Sequence, residues 1–364
     1  MNIFKNTFLF LILLLACQTV FAVNFSLFGD VRLSTSDVDG ESSGFALGDL
    51  DFYATQDISD NTRAFVELVF ESTSSGIVTD LERIWIMRRF SEELNLSAGR
   101  FHSPLGRWNR TYHHGSLVQD TVTRPFFLDF EDGNTGILPV HIVGAMLTGD
   151  LISDKDEFNY ELAIGNGPSL NSEGGFSPTT KPEIEINTTS DNNSNKTIAL
   201  RVIYGQDQYP VKVGLFAMSH EIAESGTSSV LAAIGSTLVE QTIVGTDLLY
   251  SADPFDVLFE YYYFINKDKI GDNVTHNANA WFLQFSYQII DELKLIIREE
   301  SLRFDKASDG YFLLLGTEQA NHHVMGLRYD LDESNAIKLE LNIADNDISP
   351  DTSTITVQWA FLLP

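Results

Sequence analysis

Cysteine is nearly absent from this chain, and that absence restricts its chemistry. The single cysteine, Cys17, falls inside an N-terminal leader. With residues 1–22 removed no thiol remains, which excludes disulfides, thiolate nucleophiles and cysteine-based metal sites. Long apolar runs are also missing. After residue 22 no stretch approaches the roughly 20 apolar residues that a membrane helix needs. Basic residues are few: 23 Lys and Arg stand against 51 Asp and Glu, for a net charge of −28. That balance argues against nucleic acid as a partner. Neither an HExxH zinc pair nor a GxxxxGK[ST] phosphate loop occurs. Ser116 lies near His114 without an orienting third group, so neither an enzyme nor a cofactor is expected.

The leader reads as a Sec signal peptide that is removed. Lys5 supplies the positive start, Phe8 to Ala16 the apolar core and Val20-Phe21-Ala22 the cleavage signal. The run Leu14-Leu15-Ala16-Cys17 leaves lipidation of Cys17 as an alternative. Losing Lys5 brings the mature chain to 22 basic against 51 acidic residues, or −29. With 43% hydrophobic residues and 26 Phe this is not a disordered acidic chain.

The dominant signal is alternation. In the last segment Ile355, Val357, Trp359, Phe361 and Leu363 share one face, while Thr354, Thr356, Gln358 and Ala360 share the other. The same test predicts strands near 24–35, 44–56, 62–72, 80–90, 93–103, 140–149, 157–166, 196–205, 210–219, 237–251, 255–266, 277–289, 292–303, 320–331, 335–345 and 352–363. Connections alternate between tight and long. A chain crossing a bilayer as strands must satisfy every backbone group and so has to close. The expectation is all-β: a single antiparallel transmembrane β-barrel of about sixteen strands over 23–364, with both termini in the periplasm. Sets such as Ala64, Val66, Leu68, Phe70 and Trp281, Leu283, Phe285, Tyr287 would face lipid. Glu67, Glu71, Arg201, Arg298 and Arg328 would line the lumen, in a set of lumenal charges in which acid outnumbers base. Tyr250, Tyr261, Tyr262, Tyr263, Tyr287 and Tyr329 are candidates for an interfacial girdle. Two stretches fit poorly: Phe312–Leu315 suggests a longer neighbouring strand, and Val230–Ile234 a short helix.

Segment 104–139 is too long and too aromatic for a plain surface connection, and a loop folding back into the lumen would narrow it. Its charges are segregated. Arg107, Arg110, His113, His114 and Arg124 come first; Asp129, Glu131 and Asp132 follow. Opposed charges across a constriction select ions. The adjacent pair His113-His114 has no third ligand at useful spacing, so no metal site is expected.

The run Gly99-Arg100-Phe101-His102-Ser103-Pro104-Leu105-Gly106, with Trp108-Asn109, Tyr112-His113-His114-Gly115, Arg124-Pro125, Phe130-Glu131-Asp132 and Gly136-Ile137-Leu138-Pro139, resembles bacterial outer-membrane proteins of the porin superfamily. Among them it is similar to the phosphate-selective O/P type and to related porin-like barrels. The resemblance implies a Gram-negative outer-membrane location amid lipid and lipopolysaccharide. It also implies passive diffusion of small hydrophilic or ionic solutes and favours a homotrimer. Bulk and lumenal charge point to cations and the basic front of the loop to anions, which leaves the sign open with a weak lean to anions. A closed or plugged barrel serving as receptor, adhesin or anchor is the alternative.

Overall fold

A computed structural model describes residues 23–38, 43–73, 76–113, 115–131, 133, 135–172, 182–191, 193–206, 208–229, 231–270, 273–305 and 308–363. The expected leader, Cys17, His114 and Asp132 lie outside the described residues.

Alternation becomes a closed wall. Strands β1 (Asn24–Ser36), β2 (Gly44–Ser59), β3 (Thr62–Thr73), β4 (Gly76–Arg89), β5 (Asn95–His102), β6 (His141–Ile152) and β7 (Asp156–Asn166) pair in sequence order. A small hairpin follows, β8 (Pro168–Leu170) and β9 (Ile184–Ile186). The wall resumes with β10 (Lys196–Gln206), β11 (Val211–Glu224), β12 (Thr237–Ala252), β13 (Phe255–Asp268), β14 (Thr275–Ile290) and β15 (Leu293–Arg303). It ends with β16 (Ala320–Asp332), β17 (Asn335–Asn346) and β18 (Thr352–Leu363). Strand β10 pairs with β7, and β18 with β1 from Leu27↔Leu363 to Ser36↔Thr354. The result is a closed antiparallel barrel of 16 strands with no free edge. The segments predicted from alternation correspond one to one with its strands.

The two faces separate as the period requires. On β18, Ile355, Val357 and Trp359 are exposed outward, while Thr356, Gln358 and Ala360 are buried inward. Similar outward rows on β10 (Ile198, Leu200) and β14 (Leu283, Phe285) make an apolar band. A band of that kind in water would drive aggregation; against lipid it is stable. One rim carries tight turns, such as Asp60-Asn61 and Asp253-Pro254, and the start of β1 and the end of β18 lie at that rim. The long connections leave the other rim.

Several details differ from the sequence reading. Tyr262 is not a girdle residue: it is wholly buried in the lumen, because Tyr261, Tyr262 and Tyr263 alternate sides on β13. The apolar stretch 312–315 is not strand but part of a one-turn helix. Helix α1 spans Gly106–Thr111 and α2 spans Gly310–Leu315. Asp309 accepts from the Tyr311 N–H at the start of α2, and Gly316, at φ 60°, ends it. Described residues 231–236 form turns and bends rather than a helix, and Val230 lies outside the described residues. Strand β4 begins at Gly76 and β11 runs on to Glu224, each longer than alternation indicates.

The interior is packed unevenly. Leu105, Trp108, Phe126, Phe127, Leu128, Ile137 and Leu138 from the 103–140 connection meet Phe101, Phe216, Tyr262, Phe264 and Phe282 from the wall. From the loop rim α2 adds Tyr311, Phe312, Leu314 and Leu315. The half of the lumen under β11–β15 is thus an apolar core. Open space remains along β1–β4.

Candidate pore constriction

A loop inside a lumen exposes backbone N–H and C=O groups that need partners. Here the neck is tied first. The Ser103 N–H donates to the Val140 carbonyl at 2.8 Å, and Asn109 Nδ2 donates to the carbonyls of Ser103 (2.9 Å) and Val140 (3.0 Å). Beyond the neck, wall side chains take over. Glu260 Oε1 accepts from the backbone N–H of Arg107 (2.8 Å) and Trp108 (2.6 Å). Glu340 accepts from the N–H of Val122 at 2.7 Å and of Thr123 at 3.1 Å. Glu300 accepts from the N–H of Phe126 at 2.5 Å. The cations take the carbonyls. Arg298 donates to those of Thr123 (2.9 Å) and Arg124 (3.0 Å), Arg328 to those of Leu117 (2.7 Å) and Gln119 (2.8 Å). Lys338 donates to those of Ser116 and Thr121. The inward charges of β13 and β15–β17 therefore read the loop's backbone.

Close approach at α1 depends on one residue. Gly106 has φ +68°, and a Cβ there would lie 2.2 Å from the Tyr262 hydroxyl and 2.3 Å from Glu260 Oε2. Only glycine lets the chain sit on that carboxylate.

The described site residues expected from the sequence each have a place in the barrel. Arg110 forms a two-pronged pair with Glu161 at 2.5–3.2 Å. Arg107 lies 3.6 Å from Asp247, which Arg201 also holds at 2.9–3.1 Å. Both loop arginines thus face wall carboxylates. Arg124 donates to the carbonyls of His113 (2.7 Å) and Leu128 (3.1 Å), and its guanidinium sits 3.5 Å from the centre of the Phe130 ring. Burial pulls its pKa below the ordinary arginine value, yet a guanidinium keeps its proton at any relevant pH. Asp129 accepts from Thr135 Oγ1 at 3.0 Å, and Glu131 accepts from the His141 N–H at 2.8 Å. Glu67 pairs with Arg83, and Arg328 with Asp330 at 2.8 Å. His113 is buried against His102 and His141. His102 and His141 carry no signal in the sequence reading, because 39 positions separate them and only the register opposing His102 to His141 unites them.

Two cavities lie along β1–β4, and a third, about 280 Å³, lies between the loop and β12–β15, lined by Trp108, Tyr112, Asp120, Asp256 and Lys294 among others. The deeper of the first two, about 230 Å³, is lined by Asp30, Arg32, Asp49, Asp51, Arg124, Asp129 and Phe130 among others. The one nearer the loop rim, about 300 Å³, is lined by Glu71, Asp80, Glu82, Arg100, Glu131 and Glu183 among others. Phe130 borders both. The letters Gly40-Glu41-Ser42-Ser43-Gly44 spell a GxSxG string, of which Gly40, Glu41 and Ser42 lie outside the described residues.

Comparison with solved structures bears on this architecture. The anion-selective porin from Comamonas acidovorans superposes with a TM-score of 0.62 at 13% identity, covering 94% of this chain and 99% of that one. The fold is the porin fold. The outer-membrane channel DcaP of Acinetobacter baumannii gives 0.61 at 13% identity over 94% and 97% of the two chains. OmpF of Salmonella typhi gives 0.58 at 9% identity over 94% and 98%. No family model matches the sequence, and no curated protein is similar to it. At such identities the likeness speaks for the fold alone.

Proposed function

We propose that this chain is an outer-membrane channel for passive diffusion of small hydrophilic or ionic solutes, narrow and favouring cations. The observation that carries the sign is where the loop's charges go. Arg107 and Arg110 are engaged by Asp247 and Glu161. In the deeper cavity, Asp30, Asp49, Asp51 and Asp129 outnumber Arg32 and Arg124, and Arg32 is itself paired with Asp30 at 2.6 Å. Nearer the rim, Glu71, Asp80, Glu82, Glu131 and Glu183 outnumber Arg100. A passage of that sign attracts cations and repels phosphate. The weak anion preference expected from the front of the loop is therefore replaced in this reading. The apolar outer band supports a place in lipid, and the tight-turn rim is assigned to the periplasm. Export on a leader over 1–22 belongs to the same proposal. A neighbouring structure, an outer-membrane protein of Vibrio cholerae, is described in a trimer form, which supports a homotrimer here. No chemical step is part of this reading.

Single-channel recording of the refolded protein under a salt gradient tests it. Small, stable steps with a cation-sided reversal potential are expected. An anion-sided potential would refute the proposed sign. The packed half of the lumen favours a second reading, a plugged receptor or anchor. Silence from a barrel shown to be folded by heat-modifiable gel migration would select it.

A further inference from the structure

Three histidines from distant parts of the sequence meet at the neck of the inner loop. His102 closes β5, His113 follows α1 and His141 opens β6. Their ring centroids lie 4.4 Å (His102–His113), 5.1 Å (His102–His141) and 4.9 Å (His113–His141) apart. One nitrogen from each lies within 4.8 Å of the others, and the three residues are no more than 2% exposed. The rings are mutually tilted by 51–87°, so their edges converge instead of stacking. Carboxylates flank them: His141 Nδ1 is 3.1 Å from Glu131 Oε2, and His141 Nε2 is 2.8 Å from Glu82 Oε2.

We propose that His102, His113 and His141 form a binding site for a late first-row divalent metal ion of the zinc type. One of the two flanking carboxylates would complete the set, and the other would hold the opposite nitrogen of His141. The donor chemistry selects the ion. Imidazole suits zinc and its neighbours, whereas calcium and magnesium take oxygen shells. Zinc binds imidazole nitrogen at about 2.0–2.1 Å in a tetrahedron, which places ligands roughly 3.3 Å apart, so the rings need a modest contraction by side-chain rotation. A carboxylate on the far nitrogen fixes the tautomer and raises ligand basicity. Glu82 and Glu131 bring two negative charges into a buried place that Arg100, 3.9 Å from Glu82, offsets in part. A dication supplies the balance.

Such a site would clasp the constriction. Arg124 donates to the His113 carbonyl at 2.7 Å, and the Phe130 ring stands 5.1 Å from the His113 ring. An ion holding His113 to the ends of β5 and β6 would therefore hold both passage-lining groups. The site does not depend on whether the passage conducts. The competing arrangement is metal-free, with an imidazolium of His141 bridging Glu131 and Glu82.

The experiment uses the refolded barrel, stripped with chelator and titrated with zinc chloride by calorimetry in detergent. One equivalent should bind in the micromolar range or tighter. His113→Gln should weaken binding at least about tenfold. His323→Gln, at a half-buried histidine paired with Glu299 away from the cluster, should leave it unchanged. X-ray absorption on the zinc-loaded wild type should count three imidazoles, and it needs no variant to fold. Absence of saturable binding to a folded barrel overturns the proposal. So does equal binding by His113→Gln, or a spectrum with one imidazole or none.

Discussion

At Glu260 a buried carboxylate accepts two loop amides and the Tyr262 hydroxyl, the last at 2.6 Å. Three donated hydrogen bonds offset the burial of this carboxyl group, and its loss leaves three donors dry. Glu260→Ala should therefore release the start of α1, at about 1–3 kcal/mol for each buried donor left unpaired. Gly106→Ala should do the same by another route. Left-handed backbone costs a non-glycine residue about 1–2 kcal/mol, and the added methyl would meet Tyr262 and Glu260. Both variants should still migrate as folded barrels, with lower unfolding midpoints in urea and larger conductance steps. Unchanged midpoints in both would mean that this contact does not hold the loop. Arg107→Ala with Arg110→Ala separates bracing from selection. If these arginines brace, conductance rises and becomes noisier; if they select, the reversal potential moves instead.

Among the elements, the strands were legible in the sequence and the short helices were not, for a physical reason. A strand that faces lipid on one side and the lumen on the other must alternate, so β10 and β18 show their roles within a dozen residues. Helix α2 is buried on nearly every side by loop and wall, so Tyr311-Phe312-Leu313-Leu314-Leu315 is simply apolar and carries no period. Lumenal charges such as Arg298 and Glu340 could be placed by parity, but not their loop partners, because those lie more than a hundred positions away, as Thr123 does from both. The histidine cluster was hidden in the same way. Among the described residues, 106–138 pair with no barrel strand, which gives the element-scale prediction. Replacing 106–138 by a short Gly-Ser linker should leave a heat-modifiable barrel with conductance several-fold higher. Its stability should drop, because Phe216, Phe264 and Phe282 would meet water. Failure to form a barrel would show that the loop is needed for closure itself.

For the whole molecule the question is which of its charges a permeating ion feels. The chain carries a net charge of −28, and exposed charge is screened within about 8 Å at physiological ionic strength. Charge on the passage is flanked by low-dielectric packing and is screened far less. Of the passage acids, Asp49 and Asp51 sit on β2 opposite Arg124 and Asp129 of the loop. Asp49→Asn with Asp51→Asn should therefore shift the reversal potential toward anions, and the shift should persist as salt is raised. Neutralising Asp345, Asp347 and Asp351, which belong to the β17–β18 connection and its edge, should change the potential at low salt and lose that effect near physiological salt. The decisive result is the contrast between the two sets across a salt series. Equal salt sensitivity would mean that surface charge sets the selectivity. In that case the inner loop would shape the size of the passage and leave its sign to the rest of the barrel.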